Sequence, residues 1–510
     1  MVATEHPLAS TAALGVLMRG GNAVDAAVTA AIALAVLRPD TGGPGGDAFA
    51  LIHWARAGRT FALNASGPAP AGTDPDRFRS NGLPRAGILT ACLPGAAAAW
   101  GAALERFGTL SLTEAAAPAV ELAERGMPTG FVLSRIITQE AALLAEDPAA
   151  AEIFLPGGKP PGPFDRLVQK ALAETLRRIG QEGPAALYKG AIGDQLVRWM
   201  RDHDGWFAPE DFGRVSAEWG EPLSTEYRGH EVQVVPPVSH AHMLLAELNI
   251  VEGDDLARLG QNSEEAIHLM VEAKKLAFAD RDQFTGDPAW ETVPIAELVG
   301  RARGRRLRAE IGPSASDVRP RIPLGADTTY LAVSDRDGNA VSFIQSLFHP
   351  FGSARVAGKT GIVLNNRMLS FSLDPASPNR MEAGRRPVTT LAPSMVLRRG
   401  RPRFVAGSPG GDAQVQAVFQ VLANLLDHGL DVQPAVEAPR WRSQDSGELS
   451  VETRIGAETL EGLRQRGHRV VPGGDWTQQM GGVQLVAVDA ERGWLLAGAD
   501  PRREGYAVGY

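Results

Sequence analysis

Thr328-Thr-Tyr-Leu-Ala-Val-Ser-Asp-Arg-Asp-Gly-Asn-Ala-Val-Ser-Phe-Ile-Gln-Ser346 is the stretch that decides the fold. Two strand-forming runs, 328–334 and 340–346, flank Asp335-Arg-Asp-Gly-Asn339, so the segment reads as an antiparallel hairpin. A five-residue turn would set Thr328 opposite Ser346, with Cβ atoms about 5 Å apart. A tighter turn on Asp337-Gly338 would set it against Leu347. The residues alone leave both registers open, and by itself Thr328 is only a β-branched residue opening a strand.

On the N-terminal side the composition changes. Residues 311–327 hold three prolines and two glycines, which marks a linker. Upstream of it helical periodicity dominates, with helices expected over 96–107, 112–125, 167–180, 192–202 and 263–281. Near the start Asn22 can cap a helix whose first turn carries Asp25 and which stays apolar on every face until Arg38-Pro39; such a helix must be covered on both sides. A glycine-rich loop, 40–47, then leads into a strand at 48–54. It lacks the Lys-Ser/Thr and the strand-loop-helix order of a phosphate cradle. Downstream of the hairpin, strands are expected at 361–365, 394–398, 403–406, 483–489 and 494–498, with one helix over 414–427. Helices first and strands later predict sheets covered by helices, an α+β chain.

The chain has 510 residues, 44% hydrophobic and 22% charged, ample for a large core. This length fits one layered domain, two interleaved halves or about three domains. A net charge of −8 argues against nucleic-acid or anionic-membrane partners. The basic run at 301–308 reads as a solvated helix face. Cys92 is the only cysteine, so no internal disulfide can form, and its apolar neighbours suggest an inert buried thiol. The first residues lack the pattern of a signal peptide and no apolar run is long enough to span a bilayer, so a cytoplasmic protein is expected. His240-Ala-His242 has no third ligand at useful spacing; no metal and no cofactor are expected.

Motifs along the whole chain resemble the γ-glutamyltransferase family: Gly20-Gly-Asn-Ala-Val-Asp-Ala-Ala, Tyr188-Lys-Gly, Ala279-Asp-Arg with Gly286-Asp-Pro, Thr328-Thr-Tyr with Asp337-Gly-Asn-Ala-Val, Leu364-Asn-Asn, Arg386-Pro-Val-Thr-Thr, Gly407-Ser-Pro-Gly-Gly, and Asp500-Pro-Arg with a closing Gly509-Tyr510. The resemblance implies the four-layer αββα sandwich of N-terminal-nucleophile hydrolases. It further implies self-cleavage between Asp327 and Thr328, giving a large chain 1–327 and a small chain 328–510 interleaved in one domain, each the partner of the other. Thr328 would be the nucleophile, its freed α-amine, with a pKa of about 7.7 to 8.0, accepting the hydroxyl proton. Gly410 and Gly411 match the family's oxyanion hole. Ser346 matches a second hydroxyl near the nucleophile. Thr389 and Thr390 match hydroxyls that hold the substrate, and Asn365 is placed with them.

Departures from the family concern glutamate recognition. Where γ-glutamyl-specific members carry an arginine for the α-carboxylate, this chain has Ser66. Where they carry an acidic residue for the ammonium, it has Ser370, with Arg367 just before it. An asparagine is replaced by Phe348. The segment Ser342-Phe-Ile-Gln-Ser-Leu-Phe-His-Pro-Phe-Gly-Ser looks more like the acylase and oxamate-hydrolase branch. Hydrolysis of a small-molecule amide is therefore the first expectation, a true γ-glutamyltransferase or glutathione hydrolase the second, and a catalytically silent scaffold the third. Arg367 could meet a substrate carboxylate or form a structural salt bridge.

Overall fold

The helix Ala23–Leu37 shows how the sequence builds layers. Asn22 accepts from the Val24 and Asp25 N–H groups while Asp25 accepts from that of Asn22, a closed capping box. Every residue of this helix is buried. It lies against strands Asp327–Ser334 and Ala340–Phe348 on one side and against helices Pro7–Met18, Ala96–Phe107 and Leu112–Arg125 on the other.

The computed structural model describes residues 1–318 and 327–510. A seven-stranded antiparallel sheet runs in the order Tyr506–Val508, Val2–Thr4, Asp327–Ser334, Ala340–Phe348, Asp47–Trp54, Arg59–Ala65, Glu218–Gly220. A six-stranded antiparallel sheet runs Trp494–Ala499, Gln484–Asp489, Arg401–Gly407, Ser394–Arg398, His230–Val234, Leu223–Tyr227. The sheets face one another through Phe49, Leu51, Tyr330 and Ile344 on one side and Met395 and Val405 on the other, with Gly407 against the Tyr330 ring. Helices His242–Val251 and Ala413–Leu426 cover the second sheet. This is the expected αββα sandwich, and strands from both sides of residue 327 contribute to each sheet.

Several expected elements need correction. The helix expected from 167 begins at Lys170, because Arg166–Leu167 pairs with Met127–Pro128. Residues 361–365 form no strand; Val363 makes a single bridge to Val356. Strands Val2–Thr4, Glu218–Gly220, Leu223–Tyr227 and His230–Val234 were not expected. The last two form a hairpin whose turn, Arg228-Gly229, has φ of 50° and 74°, a pair suited to a two-residue connection. Helix Arg301–Glu310 does expose most of its arginines, but Arg303 pairs with Asp280 and Glu297, and Arg308 with Asp254. Of the linker, 319–326 lie outside the described residues. Among the described residues no helix is long and apolar enough to cross a membrane.

Candidate active site

The hairpin adopts the five-residue turn. Ala340 pairs with Ser334 and Gln345 with Thr329, after which a bulge brings Phe348 opposite Asp327. Tyr330 and Ala332 belong to the core between the sheets, and by strand alternation Thr328 points the same way. Its hydroxyl lies 3.3 Å from that of Ser346. The tight turn on Asp337-Gly338 is not used, but the bulge leaves Ser346 and Leu347 together opposite Thr328.

Around Thr328 the hydrogen bonds form a directed chain. Gln414 Nε2 donates to Thr328 Oγ1 at 3.1 Å, and Thr328 Oγ1 donates to Ser346 Oγ. Ser346 Oγ in turn donates to the carbonyl oxygen of Asp327 at 2.8 Å and accepts from the Phe348 N–H at 2.8 Å. That carbonyl belongs to the peptide bond joining Asp327 to Thr328. The Asp327 side chain accepts from the Thr328 N–H at 3.0 Å and from Arg503 at 2.6 Å. Burial pushes the Asp327 carboxyl up, but Arg503 and Arg38 outweigh it and hold it below the usual carboxylate range. Thr328 and Ser346 are fully buried.

A second set of donors stands beside this chain. The strand Arg401–Gly407 ends in Ser408-Pro-Gly-Gly411, and Gly410 and Gly411 turn the backbone at φ of 118° and 59° into the helix Ala413–Leu426. Positive φ is the reason for glycine here. Among the described residues neither glycine N–H has an acceptor, while their carbonyls hold the Ala413 and Gln414 N–H groups. The turn thus leads directly to Gln414, whose Nε2 touches Thr328. Asp412, between them, is anchored by Arg281 at 2.8 Å. Gln414 was not singled out by sequence reasoning, since Gln416 and Gln420 on the same buried helix only bind backbone carbonyls and N–H groups.

The loop 40–47 braces the site rather than holding phosphate. A Cβ on Gly46 would stand 2.4 Å from the Ser346 carbonyl oxygen, so only glycine lets the loop lie against the strand end. Thr41 and Asp40 carbonyls accept from the Leu347 and Phe351 N–H groups. At its end Asp47 meets Arg367: Nε lies 3.0 Å from Oδ2 and both side chains are buried. Burial raises the Asp47 pKa and lowers that of Arg367, each partly offset by the other. The guanidinium stacks 4.7 Å from the ring centre of Phe348, whose backbone sits at φ 87° just past the bulge.

Of the two expected roles of Arg367, the structural salt bridge is present, to Asp47. Nε makes a structural ion pair, while Nη1 and Nη2 are buried with no hydrogen-bond partner among the described residues. Also buried and unpartnered are the hydroxyls of Thr329, Ser370 and Thr390 and both ring nitrogens of His240, whose Nδ1 stands 3.7 Å from Asp412. Burial, then the charge of Arg281, keeps the His240 imidazole neutral. Thr389 only accepts weakly from the Leu391 N–H, at 3.4 Å, and Ser66 donates to Asn64 at 2.7 Å. The placement of Asn365 among substrate contacts is corrected. Its amide donates to the Gly45 and Cys92 carbonyls and accepts from the Cys92 and Arg367 N–H groups, which fills its bonding capacity. It holds loops together. The Cys92 thiol is buried beside it and pushed well up in pKa by that burial, consistent with an inert role.

Comparison with known proteins places this geometry in context. Residues 9–510 match the family model described as gamma-glutamyltranspeptidase. The chain is 39% identical to the glutathione hydrolase-like YwrD proenzyme of Bacillus subtilis, over 100% of this chain and 98% of that one. It is 38% identical to the acylase ACY 1 proenzyme of Pseudomonas sp. (strain V22), over 100% and 93%. The crystal structure of cephalosporin acylase from Bacillus halodurans superposes with a TM-score of 0.94 at 33% identity, covering 100% of this chain and 95% of that one. The chain belongs to the γ-glutamyltranspeptidase family.

Proposed function

We propose that the chain is a self-cleaving amidohydrolase of acylase type, which acylates Thr328 and returns the acyl group to water. In maturation the Thr328 hydroxyl attacks the Asp327 carbonyl carbon. The C–N bond breaks, the nitrogen takes the proton, and an ester joins Asp327 to Thr328 Oγ1. Water then releases the Asp327 carboxylate and leaves Thr328 with a free amine, which serves as the base for each later turnover. The Ser346 hydroxyl, already on the Asp327 carbonyl oxygen, stabilises the negative charge that develops there during cleavage. The free N–H groups of Gly410 and Gly411 suit the oxyanion of the substrate amide.

The observation that carries the acylase reading is Arg367. Its two Nη groups are buried without hydrogen-bond partners among the described residues, and the position where a glutamyl ammonium would need an acid is Ser370. Arginine's planar fork matches one carboxylate, as in a glutaryl, succinyl or oxamyl group. The hydroxyls of Thr390 and Ser370 are likewise buried without a hydrogen-bond partner among the described residues. The test is a comparison of glutaryl-p-nitroanilide with γ-glutamyl-p-nitroanilide on matured protein. The glutaryl compound is expected to be hydrolysed faster; a γ-glutamyl preference of tenfold or more would replace this reading with glutathione hydrolase, in keeping with the name of the glutathione hydrolase-like YwrD relative.

A further inference from the structure

A second cluster of ligating side chains lies away from Thr328. The helix Glu264–Phe284 presents His268 and Glu272 one turn apart on a buried face, and His468 meets them from just before the strand Arg469–Pro472. One ligand atom from each of the three lies within 4.8 Å of the others. His268 Nδ1 and His468 Nε2 stand 2.8 Å apart, nitrogen to nitrogen. The other nitrogen of His268, Nε2, is 2.9 Å from the Gly312 carbonyl, so it carries the proton and Nδ1 turns its lone pair into the cluster. Glu272 accepts from Lys275 at 2.7 Å and from the Ser316 N–H at 3.2 Å.

We propose that His268, Glu272 and His468 bind one divalent transition-metal ion, of the zinc class. Two imidazoles and a carboxylate are the donor set of such ions, and an outer carbonyl that fixes the second nitrogen of a ligating histidine is the usual support. Ligand bonds of about 2.0 to 2.2 Å in tetrahedral array need donor atoms roughly 3.3 Å apart. The two nitrogens must part slightly and the carboxylate close in, both by side-chain rotation. Lys275 retains the Ser316 carbonyl, 2.9 Å away, when Glu272 turns to the ion. Water takes the fourth position. His268 and Glu272 precede the Asp327–Thr328 bond and His468 follows it, so the ion joins the two fragments across the cleaved bond. Through Gly312 and Ser316 it also fixes the start of the linker. The motif His240-Ala-His242 has no part in this: His242 is held by Thr285 and the Ser239 carbonyl.

The test uses tag-free full-length protein, stripped with EDTA, dialysed into metal-free buffer and titrated with zinc chloride. One equivalent of zinc is expected to bind and to raise the thermal midpoint by several degrees. Glu272→Gln and His468→Gln should each bind at least tenfold more weakly and lose the rise, with amide hydrolysis by matured protein unchanged. His468→Gln keeps an N–H donor for His268, so it separates metal binding from a simple hydrogen-bonded histidine pair and is expected to remain folded by circular dichroism. The proposal is overturned if wild-type protein binds no stoichiometric zinc, or if His468→Gln binds it as tightly as wild type.

Discussion

The Ser346 hydroxyl donates to the Asp327 carbonyl oxygen at 2.8 Å, across the strand bulge and on the carbonyl of the bond proposed to break. Under the proposed self-cleavage it is a preformed donor for the oxyanion at the Asp327 carbonyl. Ser346→Ala should therefore slow maturation by about 10²- to 10³-fold, the usual cost of one such donor. Ser346→Thr, which retains the hydroxyl, should mature within about tenfold of wild type. Densitometry of denaturing gels over time after expression measures both. Equal rates for wild type and Ser346→Ala would remove Ser346 from the mechanism.

Gly411 is expected to matter for turnover. At φ 59° it adopts a conformation that a β-branched residue seldom reaches, so Gly411→Val must move the turn that carries the free N–H groups and leads into Gln414. Turnover of matured protein should fall about 10²- to 10³-fold, with the fold largely intact by circular dichroism. Full activity in this variant would exclude the oxyanion role.

Arg367 sets the third expectation. Removing it alone strands the buried Asp47 carboxylate, a change that typically costs about 3 to 5 kcal/mol. The cleaner variant is therefore Arg367→Ala combined with Asp47→Asn. Steady-state kinetics should show the glutaryl preference over γ-glutamyl substrate narrowed by roughly 30-fold or more, as for loss of one partner of a buried charge pair. An unchanged ratio would leave Arg367 only its structural ion pair.

A pH effect follows from Glu247. Its carboxyl is buried with no hydrogen-bond partner among the described residues, and burial, opposed by Lys274, pushes its pKa up to about 8. With the folded value above an unfolded value of about 4.3, stability is full below the latter and is lost as pH rises toward 8, by up to 1.36 kcal/mol per unit. Glu247→Gln cannot ionise. Between pH 5 and 8 it should lose about 2 to 4 kcal/mol less stability than wild type, seen as a smaller fall in thermal midpoint. Parallel pH profiles would show that Glu247 ionises normally.

Much of this was legible in the sequence where one signal dominated. The capped apolar helix Ala23–Leu37 and the hairpin around Asp335–Asn339 could be read from local chemistry, and the motif order identified the family. The hairpin register could not, because the bulge at Ser346 depends on the loop 40–47 packing against it. The hairpin 223–234 escaped notice because Ser224, Glu226, Glu231 and Gln233 on its other face are charged or polar, leaving Leu223, Thr225, Tyr227, Val232 and Val234 as the inward pattern. Gln414 was hidden among glutamines with backbone duties. Asn365 was misread because family motifs record a residue's presence, whereas its bonding capacity is filled by partners far away in sequence.

The central claim is that Thr328 cuts its own peptide bond and then performs the chemistry. Intact-mass spectrometry of purified protein, with the N-terminus of the smaller fragment sequenced, tests it most directly. Wild-type protein should give fragments 1–327 and 328–510, the smaller beginning Thr-Thr-Tyr-Leu, while Thr328→Ala stays a single inactive chain. An intact wild-type chain that hydrolyses amides, or a Thr328→Ala protein that still cleaves at this bond, would contradict the account.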